Sequence, residues 1–167
     1  GWAVMHTQRG RGTYVLRFSA LARVLSEADL RDREYLEQRT EGLAALRDFL
    51  GATDLAEAAR ETGVPLDLLR AAALAIGQAA LGSNGRCLFV TGLGLSELTQ
   101  GTDSVMALCN LAMLTGSIGK SGGGMLPLRG QNNVQGNADM GGMPDRLTGY
   151  QRLDDPVVQA RVAALWG

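Results

Sequence analysis

From position 85 to position 150 the sequence carries only eight charged residues in sixty-six positions. Charged side chains are the ordinary covering of a solvated surface and are almost never fully buried. A stretch this poor in them therefore belongs inside a larger structure or against a large ligand. Within it, residues 116 to 150 read GSIGKSGGGMLPLRGQNNVQGNADMGGMPDRLTGY, with ten glycines between Gly116 and Gly149. That is too long for a turn and too poor in charge for a solvated tail. A functional loop is expected, because unstructured connections of this length in compact domains usually bind or cover something.

The chemistry concentrates in PLRGQNNVQG, where Arg129 is followed by Gln131, Asn132, Asn133 and Gln135, with glycines at 130 and 136. A planar guanidinium can hold a small carboxylate by two parallel hydrogen bonds and fix its orientation. The amides can donate or accept, and glycine lets the backbone approach a ligand closely. A lone loop arginine is more often structural. The attached GQNNVQG turns the balance toward a site for a polar anionic ligand at Arg129.

Upstream, CLFVTG is a short continuous apolar run that reads as a strand. Gly92-Leu93-Gly94 follows as a turn, and TDSVMALCNLAMLTG reads as a helix, apolar nearly all round, with Thr102 or Asp103 as cap. A strand entering a helix through such a turn resembles a nucleotide-binding turn, although the full GxGxxG pattern fails because position 97 is Glu. Before it the chain is helical. Apolar residues Val15, Leu16, Leu21, Val24 and Leu25 recur at helical spacing from Tyr14 to Asp29, and a second helix starts at Asp32. Helices over 41–50 and 54–62 follow, the latter capped by Asp54 and stopped by Gly63. Another over 65–81 has the stripe Leu66, Leu69, Ala73, Ile76 and Ala80. The last segment is a helix with Pro156 near its start and Val157, Val158, Val162, Leu165 and Trp166 as its apolar set. The expected organisation is one domain or part of one: a helical layer over 1–84, strand, turn, helix and glycine-rich loop over 85–150, and a C-terminal helix over 151–167. The fold class is α/β, a parallel sheet flanked by helices.

Sixteen basic and seventeen acidic residues leave a net charge of −1, so no long-range field draws nucleic acid or an anionic membrane. No apolar run reaches the length of a membrane span and no signal-peptide pattern opens the chain, so a soluble, cytoplasmic protein is expected. Cys87 and Cys109 sit in apolar surroundings without CxxC spacing and read as core residues. The single histidine, His6, lies near Arg9 and Arg11 in what reads as a strand end and turn, with a phosphate-reaching loop as the alternative. There is no nucleophile beside a base, no carboxylate pair in register and no cluster of metal ligands. Such a chain can position a reactant but has little means to transform it. Both ends look cut, and the sequence leaves open an excised piece or a free-standing module.

Over GLGLSELTQGTDSVMALCNLAMLTGSIGKSGGGMLPLRGQNNVQGNADMGGMP, and on through GYQ to DPVVQARVAALWG, the chain resembles the catalytic subunits of molybdenum- or tungsten-dependent formate dehydrogenases. These belong to the wider group that uses two molybdopterin guanine dinucleotides. The resemblance implies that the chain is a middle portion of such a subunit and part of its pterin-dinucleotide-binding domain. It implies that Arg129 orients formate, that Gln131 lies beside pterin and substrate with Gly130 next to it, and that Gly92, Leu93, Gly94 and Glu97 pack against one pterin dinucleotide. The metal's Cys or selenocysteine ligand, a neighbouring His and the iron-sulfur cysteines would come from elsewhere in the subunit, so the chain alone is expected to be inactive. Formate, the remainder of the subunit and electron-transfer subunits are the implied partners. Three stretches depart from the family pattern: Asn137-Ala138 stands where Ala-Cys is common, Glu97-Leu98 falls at a variable site, and RGRGTY replaces a more usual turn. A non-catalytic cofactor-binding or assembly module, or a relative acting on another small oxoanion, are the alternative readings.

Overall fold

The computed structural model describes residues 2–3, 13–82 and 85–167. His6, Arg9 and Arg11 lie outside the described residues. Two compact units are present, Gly1–Leu128 and Arg129–Gly167.

The first unit opens with β1 (Trp2–Ala3) and α1 (Thr13–Glu27), followed by α2 (Arg33–Arg39), β2 (Thr40–Glu41), α3 (Leu43–Gly51), α4 (Leu55–Thr62) and α5 (Leu66–Leu81). β1 and β2 pair in parallel. The helix boundaries follow the local signals. Asp32 caps α2 by accepting from Tyr35 N, and Asp54 caps α4 by accepting from Ala56 N and Glu57 N, each satisfying backbone N–H groups that the helix leaves unpaired. α4 ends at Gly63 in the left-handed conformation, φ 66°, which satisfies a terminal carbonyl that a residue with a Cβ would reach only under strain.

α1 is the centre of this layer and packs against α3, α4, α5 and α6 (Gly101–Leu114). Its buried face, Val15, Ser19, Ala20, Leu21, Ala22, Val24 and Leu25, is wider than a simple stripe because neighbours approach from several sides. Against it α5 presents Leu69, Ala73, Gly77 and Ala80, with Leu66 and Ile76 only partly buried. Gly77 was absent from the expected stripe and is its closest point: a Cβ there would lie 2.7 Å from both Leu25 Cδ2 and Leu30 Cβ.

β3 (Leu88–Thr91) runs into a 3-10 turn over Leu93–Leu95, then α6, then β4 (Gly124–Pro127). β4 pairs with β3 in parallel, Leu88 opposite Gly124 through Thr91 opposite Pro127. A strand, a helical crossover and a parallel strand make a βαβ unit, so the mixed helix and strand character expected of the chain is present and this parallel sheet has two strands. Phe89 and Met125 on one face pack toward the core, whereas Leu88, Val90 and Leu126 on the other are exposed. Two details differ from expectation. The N-cap position of α6 is Gln100, whose side chain makes no capping hydrogen bond, and not Thr102 or Asp103: Leu98 O takes the Gly101 N–H, and a Cβ on Gly101 would sit 2.2 Å from Ser96 O, so the tight turn begins the helix earlier. Residues 116–150, expected as one loop, contain β4 and a short helix, because strand pairing with β3 is a long-range contact that the local glycine content conceals.

The second unit comprises α7 (Val134–Asp139), the antiparallel pair β5 (Arg146–Leu147) and β6 (Gln151–Arg152), and α8 (Pro156–Trp166). Asp155 caps α8 through Val157 N and Val158 N, with Pro156 at its first position as expected. Ala138 is the only buried residue among those described in this unit, and Val157, Leu165 and Trp166 of α8 are exposed.

A polar junction ties the first unit together. Asp32 N donates to Leu114 O, Asp32 Oδ1 accepts from Tyr35 N, and Asp32 Oδ2 takes the Lys120 ammonium at 2.9 Å. Gly116, φ 58°, passes so close that a Cβ would lie 2.3 Å from Asp32 Oδ2. Burial pushes the Asp32 carboxyl up, but Lys120 and the Tyr35 N–H outweigh it and hold it below the ordinary carboxylate range. A depressed carboxyl contributes stability that is fully present above about pH 4 and lost as pH falls through its folded value. Lys120→Met is expected to cost about 1–2 kcal/mol at neutral pH and to flatten the acid limb of the pH–stability curve, as read by urea midpoints at several pH values. Gly77→Ala should also destabilise: overpacking costs about 1–3 kcal/mol and exceeds the roughly 1 kcal/mol that alanine gains within a helix.

Candidate functional site

In the first unit the expected cofactor turn is built where β3 ends. Gly92 is extended, φ −107° and ψ −165°, and Leu93 O accepts from both Ser96 N and Glu97 N at 3.0 Å, which closes the turn. Leu95 is buried and anchors it, while Leu93 and Leu98 are exposed on its outside. Neither Gly92 nor Gly94 has a left-handed backbone, and a Cβ added at either would meet nothing within 4 Å. Neither backbone strain nor internal packing therefore accounts for glycine here. The space outside both glycines is open, which leaves room for the close backbone approach that a dinucleotide would need. Glu97 is exposed, with no hydrogen bond to its carboxylate among the described residues.

The register of β3 and β4 extends one residue beyond the paired positions. Pro127 lacks an N–H, and Leu128 N supplies the next ladder bond, donating to Thr91 O at 2.7 Å. The C-terminal ends of both parallel strands thus lie side by side, the end at which open α/β sheets bind ligands.

In the second unit Arg129 leads the chain, followed by a bend at Gly130 and Gln131 and a turn at Asn132 and Asn133 into α7. Arg129, Gln131, Asn132 and Gln135 are exposed, and none has a hydrogen-bond or ion-pair partner among the described residues. The other amides are occupied. Asn133 Oδ1 accepts from Gly136 N at 3.1 Å and Asn137 Nδ2 donates to Gly142 O at 3.3 Å. The four amides that looked equivalent in the sequence therefore divide into one that shapes the backbone and three that are free. The signal was present in the sequence as an Asn with Gly three residues on, where the side chain can cap a turn.

The second unit also holds a cavity of about 580 Å3 lined by Asp145, Arg146, Arg152 and Asp154, none of them an expected site residue. Its charges are internally paired, Arg152 to Asp154 at 2.6 Å and Arg146 to Asp145 at 3.3 Å, and it offers no excess of either sign. No group of three or more His, Cys, Asp or Glu side chains able to hold a metal occurs among the described residues. No single helix there is long and apolar enough to cross a membrane. Burial pushes the Cys87 and Cys109 thiols up, and Cys109 Sγ lies 3.5 Å from Met125 Sδ.

No family model matches the chain. It is 41 % identical over 144 residues to the F420-dependent formate dehydrogenase subunit alpha of Methanocaldococcus jannaschii, a match covering 86 % of this chain and 21 % of that protein. It is 36 % identical over 165 residues to formate dehydrogenase H of Escherichia coli, covering 99 % of this chain and 22 % of that protein. An assimilatory nitrate reductase catalytic subunit of Bacillus subtilis is 28 % identical over 165 residues, again 99 % of this chain and 22 % of the relative. The chain thus spans about a fifth of the length of these relatives.

Two outcomes follow from the geometry. Because both thiols are disfavoured as thiolates, their reaction with iodoacetamide at pH 8 should be slower than that of free cysteine and should accelerate on unfolding in urea. Gly94→Ala enters open space and should shift stability by no more than about 0.5 kcal/mol, read as an unchanged urea midpoint.

Proposed function

We propose, since this chain belongs to the family of formate dehydrogenase catalytic (alpha) subunits, that it is the portion of such a subunit that orients the substrate and lines the pterin cofactor. The observation that carries the proposal is Arg129: an exposed guanidinium without a partner among the described residues, followed by the unpaired amides of Gln131 and Asn132. A fixed cation left unpaired among neutral donors suits a small anion better than it suits a structural role.

In the proposed reaction formate loses two electrons and one proton to become carbon dioxide. A molybdenum or tungsten centre carried by bis-molybdopterin guanine dinucleotide supplies the two-electron chemistry when bound, its metal ligand coming from the remainder of the subunit. Gly92, Leu93, Gly94 and Glu97 hold one dinucleotide, the glycines by close backbone approach and Glu97 by accepting hydrogen bonds from it. Gly130 and Gln131 contact the pterin. β3 and β4 belong to a larger parallel sheet flanked by helices, and electron-transfer subunits take the electrons onward. Arg129 takes no part in the bonds that change. It acts by holding both carboxylate oxygens, which leaves the C–H bond as the end of formate that faces the acceptor. On this reading the isolated chain turns nothing over.

The similarity to a nitrate reductase subunit supports a second reading, a relative acting on another small oxoanion, because a guanidinium accommodates planar monoanions of either kind.

In the complete, metal-loaded enzyme, Arg129→Ala is expected to lower kcat/KM for formate by about 100- to 1,000-fold, a loss of roughly 3–4 kcal/mol of transition-state stabilisation. Arg129→Lys should recover only part of it, since an ammonium cannot make the paired contact. Formate oxidation near wild-type in Arg129→Ala would sink the substrate role. Metal-dependent turnover of nitrate without formate turnover would select the second reading.

A further inference from the structure

The backbone of Asn133 is left-handed, φ 51° and ψ 42°, immediately before α7. Few residues other than glycine adopt this conformation readily, and asparagine is the best tolerated of them. The side chain turns back to accept the Gly136 N–H at 3.1 Å, while Asn133 O accepts the first helical bond from Asn137 N at 3.0 Å. The side chain lies close over its partner: a Cβ on Gly136 would lie 2.4 Å from Asn133 Nδ2, so any other residue at 136 would make the Asn133 amide shift from this position. α7 has only six residues, with Gly136 and Asn137 inside it. Such a helix has little propensity of its own, and its start depends on the turn that precedes it. That turn, at Asn132 and Asn133, directly follows the bend at Gly130 and Gln131, with Arg129 just before it.

We propose that Asn133 is the positioning residue of the Arg129–Gln131 segment: by holding its own amide on Gly136 in the left-handed turn, it sets the direction in which the chain from Arg129 enters α7. This rests on the proposed substrate role of Arg129 and deepens it. It divides the polar cluster by task, with Arg129, Gln131, Asn132 and Gln135 facing ligand and Asn133 with Gly136 holding the frame. Asn133 itself touches no substrate.

The test uses the complete, cofactor-loaded enzyme, with turnover normalised to metal content and with Arg129→Ala measured in parallel. Three substitutions separate the parts. Asn133→Ala loses both the left-handed tolerance and the acceptor; Asn133→Gly keeps the first; Asn133→Asp keeps both. The first readout is amide hydrogen exchange in the peptide spanning 133–142. Protection should fall in Asn133→Ala and Asn133→Gly and be retained in Asn133→Asp. The second is the kinetic split. Asn133→Ala should lose about 100-fold in kcat/KM, with kcat falling as well as KM rising, as displacement of an orienting group requires. Asn133→Asp should stay within about fivefold of wild type, the two residues being comparable caps. Wild-type kcat/KM in Asn133→Ala despite lost protection would overturn the proposal. So would an Asn133→Asp enzyme that keeps protection yet is as impaired as Asn133→Ala, since the amide would then be contacting the ligand directly. If Arg129→Ala is itself harmless, the substrate role fails first, and the exchange data still report whether Asn133 frames α7.

Discussion

The packing of α1 against α6 is the constraint on which the first unit depends. Leu25, Leu111 and Leu114 are almost wholly removed from solvent where these helices meet, and each contributes about 1.5–3 kcal/mol by burial. α6 is also the crossover between β3 and β4, so the same contact fixes the one place where the strands can pair. Shifting α6 would move the turn at Gly92 at one end and the glycine-rich approach to β4 at the other. The local elements are replaceable in kind, but their common reference is this apolar contact between segments far apart in the sequence.

The division of labour around the site follows from the same arrangement. The turn over Leu93–Leu95 is held internally by Leu93 O and Leu95, which frees its outer surface from structural duty. The segment after Leu128 is organised differently. It has almost no apolar burial and relies on local hydrogen bonds, Asn133 to Gly136, Asn137 to Gly142, and Thr148 Oγ1 to Met140 O. Segments with few buried contacts occupy the low-stability end of a protein, which is also where binding loops are drawn from.

The sequence was most legible where a local rule suffices. Asp54 and Gly63 bracketed α4, Asp32 opened α2, Pro156 opened α8, and the CLFVT run became β3. It was least legible where the determining contact is distant. Gly77 lies outside the stripe Leu66, Leu69, Ala73, Ile76 and Ala80 expected from the sequence, yet the nearness of Leu25 and Leu30 makes it part of the packed face. Met125 and Leu126 look unremarkable among glycines and become a strand only because Phe89 and Val90 lie opposite. The cap of α6 was misplaced because Thr102 and Asp103 are the better capping residues, whereas the turn closing on Gly101 had already started the helix. At the site, Arg129 stood out by its neighbours' chemistry, while the separate role of Asn133 required its backbone angle to be known.

The Asp32–Lys120 pair joins residues 88 positions apart. At synthesis rates of about 5–20 residues per second, Asp32 would wait roughly 4–18 s after its own incorporation before Lys120 exists. α6, which covers α1, is completed only shortly before Lys120. For that interval the nascent helices carry an α1 face that lacks the part of its cover α6 supplies, and collapse of such surface takes microseconds rather than seconds. The early helical layer is therefore a state that chaperones or neighbouring nascent segments have time to meet, and the ribosome, not the chain's own dynamics, sets when the βαβ unit closes.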